Sequence, residues 1–414
     1  MLRNLADAEK ARLLDCLNAV WNNGQLPESW LTAIVVSILK ARKPATAPSS
    51  YRPVSLTSAV CKVMETLVLV RLQWIARVLE FFPEQQTGFR SRRCTADSIG
   101  DVVSTLEQAR SEGEAALLVL LDVQSAFDGL PHQVVIHALD ALGVSGRMEQ
   151  FVRAFLTGRS FRVRVGTAQS SPRPVTAGVP QGSPSCSPDL PPGGPGRLGG
   201  PPSFRGPHGI VCQDQGSPGA SSFGYPTEHC LSQRRRHRDT LAEDMYLGLQ
   251  IDHLLTWTPA VKAAVAQVQR VQKAVSRIFL RGRGCSTSWA LRLHSAAATS
   301  RLLYALPLVT LSATRLRRLE QLHRGFIRSV LGLPRTSQIA ATLAEAGAWP
   351  LSLLLQQRGL LPIDRLAHAT DGERLLTRLA SRPSSRMGSL VDTYLAVVGQ
   401  PRKQKSATSL PDSA

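Results

Sequence analysis

The stretch Leu117-Leu-Val-Leu-Leu-Asp-Val-Gln-Ser-Ala-Phe-Asp128 decides how this chain is read. Five apolar residues run without alternation into Asp122, the pattern of a strand buried on both faces with a carboxylate at its C-terminal end. A carboxylate there needs a partner or a metal ion to offset its desolvation. Two readings fit: Asp122 caps a helix that begins near Ser125, or it holds a cation. A second stretch, Ala177-Gly-Val-Pro-Gln-Gly-Ser183, is bracketed by glycine and proline. It presents one amide side chain, Gln181, on a backbone that a ligand can approach closely.

In this order the two stretches resemble motifs A and B of reverse transcriptases, in particular those of non-LTR retrotransposons of the arthropod, tick-transposon type. Leu121-Asp-Val-Gln-Ser-Ala-Phe-Asp128 carries the first motif and Gly178-Val-Pro-Gln-Gly-Ser183 the second. The resemblance extends from about Gln25 to Met387 with one gap. It implies an α+β right-hand polymerase of fingers, palm and thumb, with an incomplete palm and a mostly helical C-terminal part. Asp122 then matches the first metal-binding carboxylate, and the Val123 carbonyl is a second ligand for Mg²⁺ or Mn²⁺. Phe127 matches the aromatic that bars a ribose 2′ hydroxyl, a core phenylalanine being the alternative. Gln181 and Gly182 touch the nucleotide or template.

Outward from that centre, Tyr51-Arg-Pro-Val-Ser-Leu56 is similar to the second conserved block of the fingers. The resemblance places Arg52, with Lys40 or Lys43, against the triphosphate, since a guanidinium grips two phosphate oxygens and a lysine acts as a point charge. Val60 to Phe82 reads as a long helix with Arg71 and Arg77 outward, and Gln85 to Arg90 matches another finger block. Arg90, Arg92 and Arg93 then cluster on a loop, either solvated or against a template backbone. Asp128 is expected to cap a helix from Pro131 to Leu142, and Ser160 to Val175 alternates as a hairpin turning at Gly166.

After Gly182 the pattern breaks. The family continues with a helix and a Tyr-Ala-Asp-Asp hairpin, whereas this chain runs through Ser183-Pro-Ser-Cys-Ser-Pro-Asp-Leu-Pro-Pro-Gly-Gly194, a density of proline and glycine that makes neither helix nor ladder. No Asp-Asp pair occurs in the 414 residues. Asp214, after Ile210-Val211-Cys212, is either a substitute ligand or a lone exposed carboxylate. A shifted or misjoined reading frame is the simplest cause of the break.

The resemblance resumes near Thr227, and Met245 to Ile251 matches the hairpin that grips the primer end, through Tyr246, Leu247 and Gly248. The expected organisation is an N-terminal helix and fingers over 1–116, palm over 117–183, an interruption over 184–226, and palm remnant with primer grip over 227–258. A helical thumb and connection follow over 259–381, then a flexible tail over 382–414. Lys262, Arg270, Lys273 and Arg277 mark a basic face on the first thumb helix.

The formal net charge of +19 and pI near 10.5 call for a polyanionic partner. RNA template, DNA primer and deoxynucleoside triphosphates are the partners that the resemblance implies. Seven scattered cysteines without a Cys-x-x-Cys pair argue for reduced thiols and against a disulfide scaffold or zinc site. No signal peptide or membrane-spanning pattern is read, so an intracellular place, nuclear or cytoplasmic, is expected. The function expected is an RNA-directed DNA polymerase by descent, inactive for want of the Asp pair. The alternative is a nucleic-acid-binding remnant of the same ancestry. An unrelated basic helical scaffold is the third reading, and the ordered blocks disfavour it.

Overall fold

The computed structural model describes residues 4–40, 43–120, 128–182, 210–213, 244–279 and 284–399. The chain forms two compact units, one from residues 1–91 with 122–206 and the other from 92–121 with 207–414.

The first unit begins with helix α1 (Asp7–Asn23), which ends where Gly24 adopts a left-handed conformation. The short α2 (Glu28–Leu31) leads into β1 (Thr32–Leu39), which pairs antiparallel with β2 (Tyr51–Leu56) and parallel with β4 (Ser160–Val165). Helix α3 (Ala59–Val78) starts at Ser58, whose hydroxyl accepts the Cys61 amide, and Glu80 turns left-handed just past its end. Helices α5 (His132–Ala141) and α6 (Arg147–Leu156) complete the unit. Leu17, Trp30, Cys61, Met64, Val68, Ile136, Leu139, Phe151 and Phe155 form its core. As its alternation predicted, β4 folds back at Gly166 onto β5 (Ala168–Gln169), and β6 (Arg173–Pro174) also pairs with it.

The second unit is assembled on α4 (Thr95–Ser111). Ile99, Val103 and Leu106 enter its apolar core, while Asp97, Asp101 and Glu107 hold later parts of the chain by polar contacts. Arg365 pairs with Asp97, and Arg378 and Arg382 pair with Asp101. Glu107 accepts the Trp257 indole at 3.1 Å, the Thr310 amide at 2.8 Å, its hydroxyl at 3.0 Å and the Arg386 amide at 2.8 Å. A buried carboxylate with four donors is fully satisfied, which is why a helix can carry it inward. Helices α7 (Thr258–Phe279), α8 (Thr287–His294), α9 (Ser300–Ala305) and α10 (Ala313–Leu331) follow, a π-helical turn over Ser295–Thr299 joining α8 to α9. The unit ends in α11 (Ile339–Glu345), α12 (Leu351–Ala367), α13 (Glu373–Ala380) and α14 (Arg386–Val398).

Three expectations are corrected. Residues 386–398 are a helix, not part of a flexible tail from Arg382, because Met387, Leu390, Val391 and Tyr394 bury against the core that α4 organises. The strand over the first motif, β3 (Ala116–Val119), is not buried on both faces: Leu117 is 51% exposed. Its described partner is β7 (Ile210–Gln213) alone, in a two-stranded ladder; Leu118 and Leu120 pack on the core of the unit, while Leu117 stays exposed. Arg93 is neither solvated nor displayed to a template: its side chain is buried and bonded to the Asp371 carbonyl, and neighbouring Arg92 donates to the His368 carbonyl at 2.7 Å.

Candidate nucleotide and nucleic-acid site

In the first unit the second motif is fastened at four points. Val179 packs against the core, which fixes the turn to the body of the unit. The Gly178 amide donates to the Leu130 carbonyl at 2.8 Å, and the His132 ring donates to the Gly178 carbonyl at 2.9 Å. The Ser55 amide, on the free edge of β2, donates to the Gln181 carbonyl at 2.7 Å. Finally, the Gln181 side-chain nitrogen lies 3.1 and 3.0 Å from the two carboxylate oxygens of Asp128. Asp128 therefore does not cap the helix after it. That helix begins at His132 behind Pro131, which has no side chain to cap with, and the carboxylate is committed to Gln181.

Gly182 has φ of +107°, and a Cβ there would meet the Ser55 carbonyl oxygen at 3.0 Å. Only glycine allows this approach without strain. The Tyr-Arg-Pro-Val-Ser strand and the Gly-Val-Pro-Gln-Gly turn are thus neighbours. On β2, Arg52 is exposed and makes no hydrogen bond or ion pair among the described residues. Lys40, just past β1, donates to the Ser49 carbonyl at 2.8 Å, which folds it back onto its own loop. Lys43 is exposed.

Asp122, Val123 and Phe127 lie outside the described residues, as does Asp214. Among the described residues no group of three or more His, Cys, Asp or Glu side chains is arranged to hold a metal ion. Asp128, the last residue of the first motif, is bonded to Gln181.

In the second unit the primer-grip candidates form a hairpin, β8 (Asp244–Tyr246) and β9 (Leu249–Ile251), turning at Leu247 and Gly248 with φ of 46° and 86°. Both central residues are left-handed, as a tight two-residue hairpin requires. Tyr246 is buried in the core, and burial pushes its hydroxyl up to about 12. The Leu247 carbonyl accepts the Tyr304 hydroxyl at 2.9 Å. Gly248 lines a cleft of about 320 Å³ with Met245, Gln250, Ala264, Gln267 and Tyr304. Of the three, Gly248 alone is exposed, and a Cβ there would lie 3.4 Å from the Tyr304 ring. Lys262, Arg270, Lys273 and Arg277 are all exposed on α7, as their spacing suggested.

Sequence reasoning missed the Gln181–Asp128 bond and the Ser55–Gln181 contact. The signal available was only that each motif ends in a side chain able to bond the other. No helix among the described residues is long and apolar enough to cross a membrane.

With this geometry in hand, similarity to known proteins can be placed on it. Residues 39–190 match the reverse transcriptase (RNA-dependent DNA polymerase) family. The chain is 35% identical over 182 residues to the RNA-directed DNA polymerase from mobile element jockey of Drosophila melanogaster, covering 44% of this chain and 20% of that protein. It is 34% identical over 174 residues to the probable RNA-directed DNA polymerase from transposon X-element of the same fly, covering 40% of this chain and 18% of that one. A 26% identical stretch of 163 residues matches the Pol polyprotein from type-1 retrotransposable element R2 of Popillia japonica, 39% of this chain and 22% of that protein. The chain thus spans about a fifth of the length of these relatives. Residues 39–190 are thus similar to the reverse transcriptase family, and the chain to RNA-directed DNA polymerases of mobile elements.

Proposed function

We propose that this chain is an RNA-directed DNA polymerase domain by descent, of the tick-transposon type, that binds nucleic acid but does not extend a primer. The observation that carries the binding half is the docking of the Gly178–Gly182 turn on the edge of β2, which makes neighbours of Gln181 and the strand that bears Arg52. The exposed Arg52 guanidinium, without a partner among the described residues, suits a triphosphate, and the exposed cations of α7 suit a phosphate backbone. The primer-grip role falls to the Leu247–Gly248 turn, with Gly248 as its accessible residue.

The loss of catalysis rests on chemistry. Phosphoryl transfer in this family depends on divalent Mg²⁺ or Mn²⁺ held by several carboxylates, and the chain has Asp122 without an Asp-Asp pair. Removing the principal ligands from a site that works by electrostatic positioning costs many orders of magnitude in rate. A frame shift between the second motif and the primer grip accounts for the loss.

Primer extension on an RNA template tests the reading, with Asp122→Ala and a version carrying a restored Tyr-Ala-Asp-Asp hairpin beside the native chain. No extension by the native chain, with template and primer still bound in a fluorescence anisotropy titration, is the expected result. Extension that Asp122→Ala abolishes would show that another carboxylate completes the site and would overturn the inactivity.

A further inference from the structure

Helix α3 is apolar on two opposite faces. The inner one, with Cys61, Met64 and Val68, belongs to the core of the first unit. The outer one carries Leu67, Val70, Trp74 and Val78, followed just past the helix end by Phe81, and these are 51, 50, 60, 59 and 41% exposed. At 3.6 residues per turn the four helical positions fall in a stripe about 80° wide centred on Trp74. A helix with apolar residues all round is normally covered on every side. Here one side is bare.

The stripe has an internal symmetry. Leu67 and Phe81 lie seven residues either side of Trp74, and Val70 and Val78 lie four either side. Arg71 and Arg77 lie three either side, on opposite edges of the stripe, exposed and without a hydrogen bond or ion pair among the described residues. The helix shows no exposed carboxylate along this face, its one acid, Glu65, being buried.

We propose that this stripe is the two-fold interface of a homodimer, α3 packing antiparallel on α3 of a second copy with Trp74 at the axis. An isologous contact uses the same patch on both sides, so that residue i meets j and j meets i. The helical part of the palindrome supplies that match: Val70 meets Val78 of the second copy on either side of Trp74, and the pairing occurs twice. Arg71 lies level with Arg77 of the second copy but on the other edge of the seam, so the like charges are kept apart. Their aliphatic stems cover the rim and their heads stay in water. An exposed stripe on the order of 500 Å² per copy buries about 1,000 Å² in the pair, the lower bound for a specific interface. A dimer in the micromolar range follows. An acidic helix of another protein or an anionic bilayer would use the apolar residues and the two arginines but would have no use for the palindrome.

Sedimentation velocity of the full chain over about 1 to 100 µM reads the association directly. The expected result is a monomer–dimer equilibrium that Trp74→Glu abolishes, the variant keeping the native circular dichroism spectrum because Trp74 is mostly exposed. Oxidative cross-linking fixes the geometry, each variant being compared with the unsubstituted chain to subtract its own cysteines. Trp74→Cys cross-links to itself across the axis. Leu67→Cys does not, because its two copies stand about 21 Å apart along the seam, whereas Val70→Cys cross-links when mixed with Val78→Cys. A monomer at every concentration, association that survives Trp74→Glu, or self-cross-linking of Leu67→Cys would each overturn the proposal. So would a monomeric chain that floats with phosphatidylserine vesicles and loses them on Trp74→Glu.

Discussion

The side-chain nitrogen of Gln181 bridges both carboxylate oxygens of Asp128, at 3.1 and 3.0 Å, across 53 residues of sequence. The last residue of one motif thereby holds the one amide side chain of the other. The bond ties the Gly178–Gly182 turn to the chain just ahead of α5.

Replacing Asp128 with Ala releases this tie. The contact is on the surface, so the loss of stability is small, about 1 kcal/mol in urea unfolding. A double-mutant cycle with Gln181→Ala recovers most of that as coupling energy, whereas independent effects of the two changes would show that the bond does not form in solution.

Gly182→Ala should cost more, about 2 kcal/mol, because φ of +107° and a backbone carbonyl 3.0 Å from the new Cβ penalise it together. The same variant should weaken nucleotide binding, read by anisotropy of a labelled triphosphate, since the turn can no longer lie against Ser55.

Glu107 is the polar hub of the second unit. Glu107→Ala leaves the Trp257 indole, both Thr310 donors and the Arg386 amide without their acceptor, and a loss on the order of 4 kcal/mol is expected. Thermal melting followed by tryptophan fluorescence reads it, with Glu107→Gln falling between the two.

Acid should loosen the same unit. His294 and His323 are buried with 3.4 Å between ring nitrogens, and burial with the neighbouring His323 lowers His294 from 6.5 to about 4. Burial lowers His323 as well, against the pull of Glu320 and with the push of Arg324. The unfolded chain therefore binds the proton more tightly than the folded one. Stability is complete above about pH 6.5 and is lost as the pH falls from there towards 4, by on the order of 3 kcal/mol for His294. Unfolding free energies measured at pH 7 and pH 4.5, compared with those of His294→Gln, isolate this contribution.

Most local elements were legible in the sequence because their causes are local. Gly24 ends α1, Ser58 begins α3, Gly166 turns the hairpin after β4, and the apolar spacing of α4, α7 and α10 marks helices. The two motifs were legible too, as residue types in order. What sequence by itself determined was thus the list of elements, the similarity of residues 39–190 to reverse transcriptases and the absence of an Asp-Asp pair. Only the tertiary structure decided which partners the polar groups take. Arg93 could have met a phosphate, yet it is buried on Asp371, and Asp128 could have capped a helix, yet it holds Gln181. The tail beyond Arg382 looked unstructured, but Glu107 and the core around α4 give its first helix a place to bury. A charged side chain seeks whichever complement comes within about 3 Å, and for partners distant in sequence that choice is made only when the chain has closed on itself.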